Sequence, residues 1–332
     1  MRNLIHGGWQ AEVLRAVLRL DLPDLLGDRR RSVADLAGAS GADEEALARL
    51  LRLAAALGLF RQLDADYYTN NAASSLLRAD HPRSMRVEAM HALSGWTRIA
   101  WDQVAFSVRS GTSGFQAATG VSVFEFLRSE PDEAAAFHAF QARVTRRNAA
   151  ALGAGYPFPA AGTVLDVGGG SGALLAEVLR RRPGLRGVLY DRPEVVEAAR
   201  GALAGSGVAA RLDLCGGDFF EEVPTGADRY VLSHVLHDWA DQQAADILGN
   251  VAAAMDRTAE LLVVENVKPE RGTSVLLGYL DVLMLAAWGS RERTYPEYEA
   301  LLARAGLRPV GCLTLEPRTG LSAIIARRGQ QD

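Results

Sequence analysis

A run of glycines between a short apolar segment and a helical pattern constrains the fold of this chain more than any other feature. Residues 163–167, TVLDV, are mainly apolar and suit a buried parallel strand. Gly168, Gly169, Gly170 and Gly172 follow, and the helical pattern ALLAEVLRR begins at Ala173. In α/β proteins such a turn brings the backbone close to a nucleotide-like ligand, because glycine adopts positive φ and has no Cβ. The segment therefore predicts a ligand site within an α/β sheet.

Two acidic residues near this turn indicate which ligand it binds. Gly168, Gly170 and Ala173 also fit the loose G-x-G-x-x-G/A dinucleotide pattern, so the glycines alone leave a nicotinamide oxidoreductase open. Asp166 lies two residues before the first glycine, where an anion suits a cationic ligand and does not suit a pyrophosphate. Asp191 ends the next apolar run, where an acid can accept hydrogen bonds from ribose hydroxyls. S-adenosylmethionine carries a sulfonium and an ammonium and no phosphate, so these positions favour it as the cofactor.

Composition excludes several classes of partner and location. The length of 332 residues is typical of two domains, and a net charge of −4 gives no basic field for nucleic acid or anionic lipid. The N-terminal segment lacks an apolar signal core, and no apolar run approaches the ~18 residues of a membrane span. Cys215 and Cys312 form no metal-type pair and are expected to be free thiols in a reducing compartment. We expect a cytoplasmic protein without a nucleic-acid or membrane partner.

The pattern of the chain changes near residue 160. In the first hundred residues, Ser32 and Asp43 can cap two helices around an SGA turn, and LFRQLDADYYTN resembles the wing of a winged helix. From Gly162 onward apolar runs alternate with helical patterns, which predicts a Rossmann-like, doubly wound α/β sheet of seven strands. The predicted strands lie at about 163–168, 186–191, 210–215, 229–235, 260–266, 309–315 and 321–327. The predicted domains are a winged-helix-like dimerisation domain (1–100), a helical linker contributing to the substrate site (101–155) and a cofactor-binding catalytic domain (156–332).

A winged helix raises the alternative of a DNA-binding regulator or a metabolite sensor. The recognition helix would begin Asp43, Glu44, Glu45, and its only basic residues are Arg49 and Arg52. A helix that reads a DNA groove needs several basic and polar side chains facing the duplex. The apolar surface of this helix favours dimerisation instead.

A histidine at the end of the predicted fourth strand is the candidate catalytic residue. In open α/β sheets the ligand lies beyond the carboxyl ends of the strands, so His237 should lie over the same face as the glycine turn. A histidine there can act as a general base near neutral pH. Glu265 ends the fifth strand and Glu292 lies in a loop before a helix, and two acids near one histidine can orient its ring and stabilise the imidazolium. We predict that these three residues are catalytic.

A second histidine leaves a metal site as an alternative. His234, His237 and Asp238 could together bind a metal ion, but the neighbouring acids belong to other strand ends and no further ligand spacing is present. On an extended strand, His234 should point to the opposite side from Ser233 and Val235. We therefore predict no metal.

The motifs LDVGGGSG, GDFFEEVP, LHDWAD, VVENV and GSRERT, together with the N-terminal segment TNNAASSLLRADHP, carry a family resemblance. The chain resembles the caffeic-acid-type S-adenosylmethionine-dependent O-methyltransferases, including bacterial members that act on polyketides and related aromatics. The resemblance covers nearly the whole chain. It implies a homodimer in which the first domain dimerises and the second catalyses, and in which part of one subunit can reach the partner's active site.

The resemblance also implies roles for individual residues. The residues implied to bind the cofactor are Asp166, Gly168 and Gly170 at its methionine part, Asp191 at the ribose, and Asp218, Phe219 and Trp239 around the adenine. Plant members have a lysine four residues before the base, where this chain has Ser233, so any cofactor contact of that lysine is lost or replaced. Asp281 lies in the substrate-facing helix of the family, and Met284, Trp288 and Phe137 are further predicted contacts for a flat aromatic substrate.

The function predicted from these observations is methylation of a hydroxyl on an aromatic natural-product intermediate, polyketide-like or phenolic, with His237 as general base. Antibiotic biosynthesis is the expected context. Two alternatives remain. Some relatives use the bound cofactor for hydroxylation, decarboxylation or pericyclic chemistry, and a nicotinamide oxidoreductase would share the fold although Asp166 disfavours it.

Overall fold

The computed structural model describes residues 1–329 and divides into two compact units. The first comprises Met1–Arg98 with Leu127–Phe140, and the second comprises Ile99–Phe126 with the chain from Gln141 onward. The chain passes from one unit to the other within three helices: α8 (Gly95–Asp102), α11 (Val123–Ser129) and α12 (Pro131–Gly155). The three-part division predicted at residues 1–100, 101–155 and 156–332 stays a prediction.

The first unit has the helices and small sheet of a winged helix. Its three-stranded antiparallel sheet has the order β1-β3-β2. Apart from α8, α11 and α12, the helices and strands of this unit are, in chain order, α1 (Arg2–Ile5), α2 (Gly7–Arg19), α3 (Leu22–Leu26), β1 (Arg31–Ser32), α4 (Val33–Ser40), α5 (Glu44–Ala56), β2 (Phe60–Gln62), β3 (Tyr67–Asn70), α6 (Ala72–Ser75) and α7 (Arg86–Ala92).

Helix caps fix the two central helices of this unit. The Ser32 hydroxyl accepts a hydrogen bond from the Asp35 amide at 3.0 Å, and the Asp43 carboxylate accepts one from the Ala46 amide at 2.8 Å. Both caps were predicted and both are confirmed, because a side-chain oxygen satisfies an amide that has no partner within the helix. The apolar face of α5 packs inward through Leu47, among other residues.

The second unit contains a seven-stranded sheet with the order β6-β5-β4-β7-β8-β10-β9. The five strands from β6 to β8 in this order are parallel, and β10 is antiparallel to both of its neighbours. The elements are α9 (Val104–Ser110), α10 (Gly114–Thr119), β4 (Gly162–Val167), α13 (Ala173–Arg181), β5 (Leu185–Asp191), α14 (Pro193–Ala204), β6 (Leu212–Gly216), β7 (Arg229–Ser233), α15 (Asp241–Ala254), β8 (Glu260–Asn266), α16 (Val275–Trp288), α17 (Tyr295–Arg304), β9 (Leu307–Glu316) and β10 (Leu321–Arg328).

The predicted Rossmann-like α/β class with seven strands is confirmed. Two connections differ from the predicted helical crossovers: residues 217–228 join β6 to β7 without a helix, and a short turn joins β9 to β10 and makes them a hairpin. Apolar side chains cover both faces of the sheet, and all seven residues of β8 are buried. Because β4, β5, β7 and β8 are parallel, their carboxyl ends lie at the same edge of the sheet, where backbone and side chains are available to a ligand.

Within residues 1–329, every helix is too short or too polar to cross a membrane.

Candidate active site

The glycine turn after β4 exposes backbone at the edge of the sheet. Gly168, Gly170 and Gly172 have φ values of 71°, 56° and 72°, a region that residues with a Cβ rarely adopt. The amide of Gly168 donates to the Tyr190 carbonyl at 2.8 Å, which ties the turn to the end of β5. A Cβ on Gly168 would lie 3.0 Å from a methyl carbon of Val235 and 3.5 Å from the Phe219 ring. The turn therefore forms an open cradle that any larger residue would fill.

Two carboxylates lie at this turn, and their state fits a cationic ligand. Asp191 accepts a hydrogen bond from the Gly170 amide at 2.8 Å. Asp166 is 1% exposed, and its Oδ2 has no hydrogen-bond partner among the described residues. Burial, and next the charge of Asp191, raise the pKa of Asp166 to about 7. A buried carboxylate without a partner is costly, and a positively charged ligand such as S-adenosylmethionine would offset that cost.

Replacing Gly168 with Ala should weaken S-adenosylhomocysteine binding by tenfold or more. A left-handed φ costs a residue with a Cβ about 1–2 kcal/mol, and a factor of ten in Kd corresponds to about 1.4 kcal/mol. The new methyl would also crowd Val235 at 3.0 Å. Isothermal titration measures the effect. Gly201→Ala, in α14 with open space around its Cβ position, is the control and should leave the Kd unchanged.

A cluster of aromatic rings reaches the glycine turn through Phe219. Phe219 lies 6.1 Å and Phe220 lies 4.8 Å from Trp239, measured between ring centroids. The side-chain amide of Asn250 donates to the backbone carbonyls of both phenylalanines at 2.9 Å, which holds the segment of Phe219 and Phe220 in place. The carboxylate of Asp218 accepts from the Phe220 amide at 2.8 Å. The structure thus brings together the three residues predicted to surround the adenine, Asp218, Phe219 and Trp239.

His237 lies in a short 3₁₀ turn after β7, surrounded by three carboxylates. Its Nδ1 is 3.3 Å from Glu292 Oε1 and 3.6 Å from Glu265 Oε2, and its Nε2 is 3.6 Å from Asp238 Oδ1. The structure therefore brings the three predicted catalytic residues together. Since two acids face Nδ1, the ring proton is held there and Nε2 can accept another.

The carboxylate of Glu265 is fixed by the backbone of the same turn. Its Oε1 accepts hydrogen bonds from the amides of Val235 and Leu236 at 3.1 and 2.9 Å. Its Oε2 is buried and has no hydrogen-bond partner in the described part of the chain, although it faces His237. Burial raises the pKa of Glu265 to about 7, against the lowering effect of His237.

Charge dominates the titration of His237. Burial alone would lower its pKa, but the charges of Glu265, Asp238 and Glu292 outweigh burial and raise the pKa to about 10. Three carboxylates around one imidazole stabilise the imidazolium, as expected for a base that must hold the proton it removes.

Arg293 supports the turn of His237, a role that the sequence did not reveal. Its guanidinium is fully buried and donates to the carbonyls of Leu236 and Trp239, each at 2.7 Å. It also donates to Asp241 Oδ1 at 2.9 Å. These bonds hold the turn on both sides of His237. The motif GSRERT contains both residues: Glu292 contacts the imidazole of His237, and Arg293, the next residue, holds the turn that carries His237.

Asp281 holds the loop of Glu292. Its Oδ1 accepts from the Glu292 amide at 3.0 Å, and its Oδ2 accepts from Lys268 Nζ at 2.9 Å. Asp281, Lys268 and Trp239 line an open cavity of about 470 Å³. Both oxygens of Asp281 thus have protein partners, and its predicted contact with substrate stays a prediction.

The other predicted substrate contacts are distributed over both units. Met284 and Trp288 lie one turn apart on α16, Met284 is buried, and the Trp288 ring is 6.2 Å from that of Phe124. Phe137 lies in the first unit, 6.0 Å from Trp96. Ser233 is the last residue of β7, next to the turn that carries His237.

His234 departs from the geometry expected of it. Because β7 ends at Ser233 and His234 has a φ of 53°, the side-to-side alternation of an extended strand does not apply. The ring of His234 lies 5.2 Å from that of His237. Side-chain atoms of His234, His237 and Glu265 that could bind a metal ion all lie within 4.8 Å of one another. The set considered from the sequence had Asp238 in place of Glu265.

Comparison with known proteins places these features in a family. The family model for the O-methyltransferase domain matches residues 101–308, and the family model for the O-methyltransferase dimerisation domain matches residues 2–80. The mitomycin biosynthesis 6-O-methyltransferase of Streptomyces lavendulae is 39% identical over 93% of this chain and 88% of the relative.

Solved structures agree with the sequence comparison. The structure of a mitomycin 7-O-methyltransferase has a TM-score of 0.92 and 38% identity, covering 99% of this chain and 96% of the other. An O-methyltransferase from neocarzinostatin biosynthesis, in complex with S-adenosyl-L-homocysteine and 1,4-dihydroxy-2-naphthoic acid, has a TM-score of 0.83 and 31% identity over 96% of each chain. The chain therefore belongs to the O-methyltransferase family and is an S-adenosylmethionine-dependent enzyme of that family.

Proposed function

We propose that this enzyme methylates a hydroxyl group on an aromatic natural-product intermediate, with His237 as the general base. The observation that carries the proposal is the position of His237, which has two acids on Nδ1 at 3.3 and 3.6 Å. Relatives named for mitomycin biosynthesis, and the neocarzinostatin enzyme in complex with a dihydroxynaphthoic acid, support an aromatic acceptor.

The residues around His237 suit proton removal from a hydroxyl. Bound S-adenosylmethionine supplies a methyl group activated by the sulfonium charge. Glu292 and Glu265 hold the ring proton at Nδ1, so that Nε2 of His237 takes the hydroxyl proton. The acceptor oxygen keeps the electron pair of the broken O–H bond and becomes the stronger nucleophile. The same carboxylates stabilise the imidazolium that results.

The remaining site residues are proposed in their predicted roles. Asp166, Gly168 and Gly170 bind the methionine part of the cofactor, and Asp191 binds the ribose. Their support is the cradle at the glycine turn and the buried carboxylate of Asp166. Asp218, Phe219 and Trp239 surround the adenine, and Ser233 at the end of β7 is a further cofactor-binding residue. Asp281, Met284, Trp288 and Phe137 contact the substrate. We propose no metal ion in this reaction.

We further propose a homodimer located in the cytoplasm. The dimerisation-domain match at residues 2–80 supports self-association. Both cysteines, Cys215 and Cys312, are free thiols, as expected in a reducing compartment. Nucleic acid is not a proposed partner, because the exposed face of α5 begins with Glu44 and Glu45.

The reaction should be faster at higher pH for weakly acidic phenols. Only the neutral form of His237 can accept the proton, and nearby carboxylates raise the pKa of His237 to about 10. Below that pKa, kcat/KM should rise by about tenfold per pH unit, since one pKa unit is a tenfold change in population. A pH series with one phenol and saturating cofactor measures this limb.

Glu292→Gln gives the sign test for this pH dependence. Removing a negative charge 3.3 Å from Nδ1 destabilises the imidazolium and lowers the pKa of His237, so the rising limb should move to lower pH. Glu299→Gln, on the exposed side of α17, is the control. A limb that stays in place or moves to higher pH in Glu292→Gln would contradict the proposed charge pairing.

The substrate class is tested by incubating the enzyme with cofactor carrying a labelled methyl group and a panel of phenols, hydroxynaphthoates and hydroxyquinones. Intact-mass analysis should show a gain of one labelled methyl on oxygen for at least one aromatic class. Aromatic amines of matched shape are the control for the acceptor atom. Labelling of amines alone, or conversion without labelling, would overturn the proposal of hydroxyl methylation.

A further inference from the structure

We infer that Asn148 and His234 are positioning residues that keep Glu265 ionised beside His237, so that the second histidine controls the basicity of the first. The inference rests on the proposed role of His237 as the base. It concerns four side chains of the second unit, from α12, from the turn after β7 and from the end of β8.

The backbone at His234 is held in an unusual conformation. Its φ of 53° lies in the left-handed region, which a residue with a Cβ adopts at a cost in free energy. Its amide donates to the Val264 carbonyl at 3.0 Å, which anchors this conformation to β8. As a result, the ring leaves the direction of β7 and lies next to His237, with an interplanar angle of 61°.

Asn148 fixes which nitrogen of His234 carries the proton. Its Nδ2 lies 2.7 Å from His234 Nε2, and the Asn148 side chain is almost completely buried. An amide nitrogen can only donate, so Nε2 of His234 must accept, and in the neutral ring the hydrogen is then on Nδ1. Burial, and next the charge of His237, lower the pKa of His234 to about 3, so this ring is neutral.

One carboxylate oxygen lies between the two histidines. Nδ1 of His234 is 3.8 Å from Glu265 Oε2, longer than a hydrogen bond, and Nδ1 of His237 is 3.6 Å from the same atom. The other oxygen, Oε1, already accepts from the amides of Val235 and Leu236. The two backbone amides and the two Nδ1–H groups thus each present a hydrogen to the carboxylate, which disfavours a proton on either oxygen.

The ionisation of Glu265 needs this support. Burial raises the pKa of Glu265 to about 7 with all of these neighbours in place, so near neutral pH the carboxylate is close to losing its charge and the loss of one hydrogen presented to it would favour the neutral form. A neutral Glu265 would no longer stabilise the imidazolium of His237, and His237 would become a weaker base. Other charged or titratable groups that act on this cluster are Glu292, Asp238, Arg147 and Tyr298.

The first test is the pH profile of kcat/KM. In His234→Asn, the rising limb should move to lower pH by about one unit, a tenfold change in the population of the base form. Asparagine tolerates the left-handed φ, so the backbone can keep its conformation. Asn148→Leu should move the limb in the same direction by a smaller amount. His138→Asn removes an exposed histidine in the first unit and should leave the profile unchanged.

The second test is histidine NMR on the cofactor-free protein with ring-labelled histidine. The signal that disappears in His237→Gln reports His237, and its midpoint should fall in His234→Asn and in Asn148→Leu. In the unmodified protein, the His234 signal should show the Nδ1–H tautomer. This measurement needs no turnover. A His237→Gln variant that still reacts would therefore refute the proposed base, whereas the effect of His234 on the midpoint of His237 is decided by NMR alone.

Two results would overturn the inference. One is a His237 midpoint in His234→Asn equal to that of the unmodified protein. The other is a His234 signal with its hydrogen on Nε2, which is measured on the natural chain and stays decisive even where a variant does not fold.

Discussion

Replacing His237 with Gln should reduce kcat by about 10²–10⁴-fold, the usual contribution of a positioned general base. Glutamine keeps the approximate size of the ring and can still donate a hydrogen bond, but it cannot accept a proton at any working pH. The glycine turn and Asp191 follow β4 and β5, and the substitution changes only one side chain between Ser233 and Trp239, so the Kd for S-adenosylhomocysteine should not change. Steady-state kinetics and isothermal titration measure the two quantities separately.

The loss should also depend on the acceptor. A hydroxyl that ionises near neutral pH needs less help from a base, so the ratio of rates between the natural chain and His237→Gln should shrink as the acceptor becomes more acidic. His138→Gln, at an exposed position, is the matched control for removing a histidine. Equal turnover of His237→Gln and the natural chain would remove His237 from the reaction.

Arg293→Met should both destabilise the protein and abolish most turnover. The guanidinium is fully buried and donates to the carbonyls of Leu236 and Trp239 and to Asp241. Methionine fills part of the volume but leaves the carbonyls of Leu236 and Trp239 without this partner, and a buried acceptor left without a hydrogen bond costs about 1–3 kcal/mol. Thermal unfolding measures the loss of stability, and kcat at a temperature well below Tm measures the loss of positioning.

Arg291→Met is the matched control on the same loop. Arg291 is about half exposed and pairs with Asp241 and Glu297 near the surface, where an ion pair contributes about 1 kcal/mol or less. Its Tm and kcat should stay close to those of the natural chain. If Arg293→Met matched Arg291→Met in both measurements, the proposed support of the His237 turn would be wrong.

The fold could be predicted from local patterns because its strands are buried on both faces. A segment such as LLVVEN has no amphipathic alternation and reads as a parallel strand, and the structure forms β8 there, at Glu260–Asn266. The glycine turn was equally readable, since its positive φ values require residues without a Cβ. The catalytic candidates followed from topology, because parallel strands place Glu265 and His237 at the same edge.

The parts that could not be predicted depend on tertiary contacts or on single dihedral angles. Nothing in the sequence indicates that His234 adopts a left-handed φ, so the alternation rule for extended strands does not apply to its ring. Asn148 lies in a long helix without any local pattern that links it to a histidine 86 residues away. Arg293 lies in a loop before a helix, and a buried cation there is recognisable only after its carbonyl partners are known.

The pairing of two neighbouring strands has a consequence for how this enzyme can diversify. Ser233 pairs with Val264, and this register sets the carboxylate of Glu265 against the amides of the turn that begins two residues later. A slip of one residue would turn Glu265 to the opposite face of the sheet and leave the imidazole without its counter-ion. The proposed proton-handling residues thus depend on the register inside the sheet, and positions proposed to contact an acceptor without supporting this turn, such as Met284 and Trp288, can vary in sequence while that register is kept.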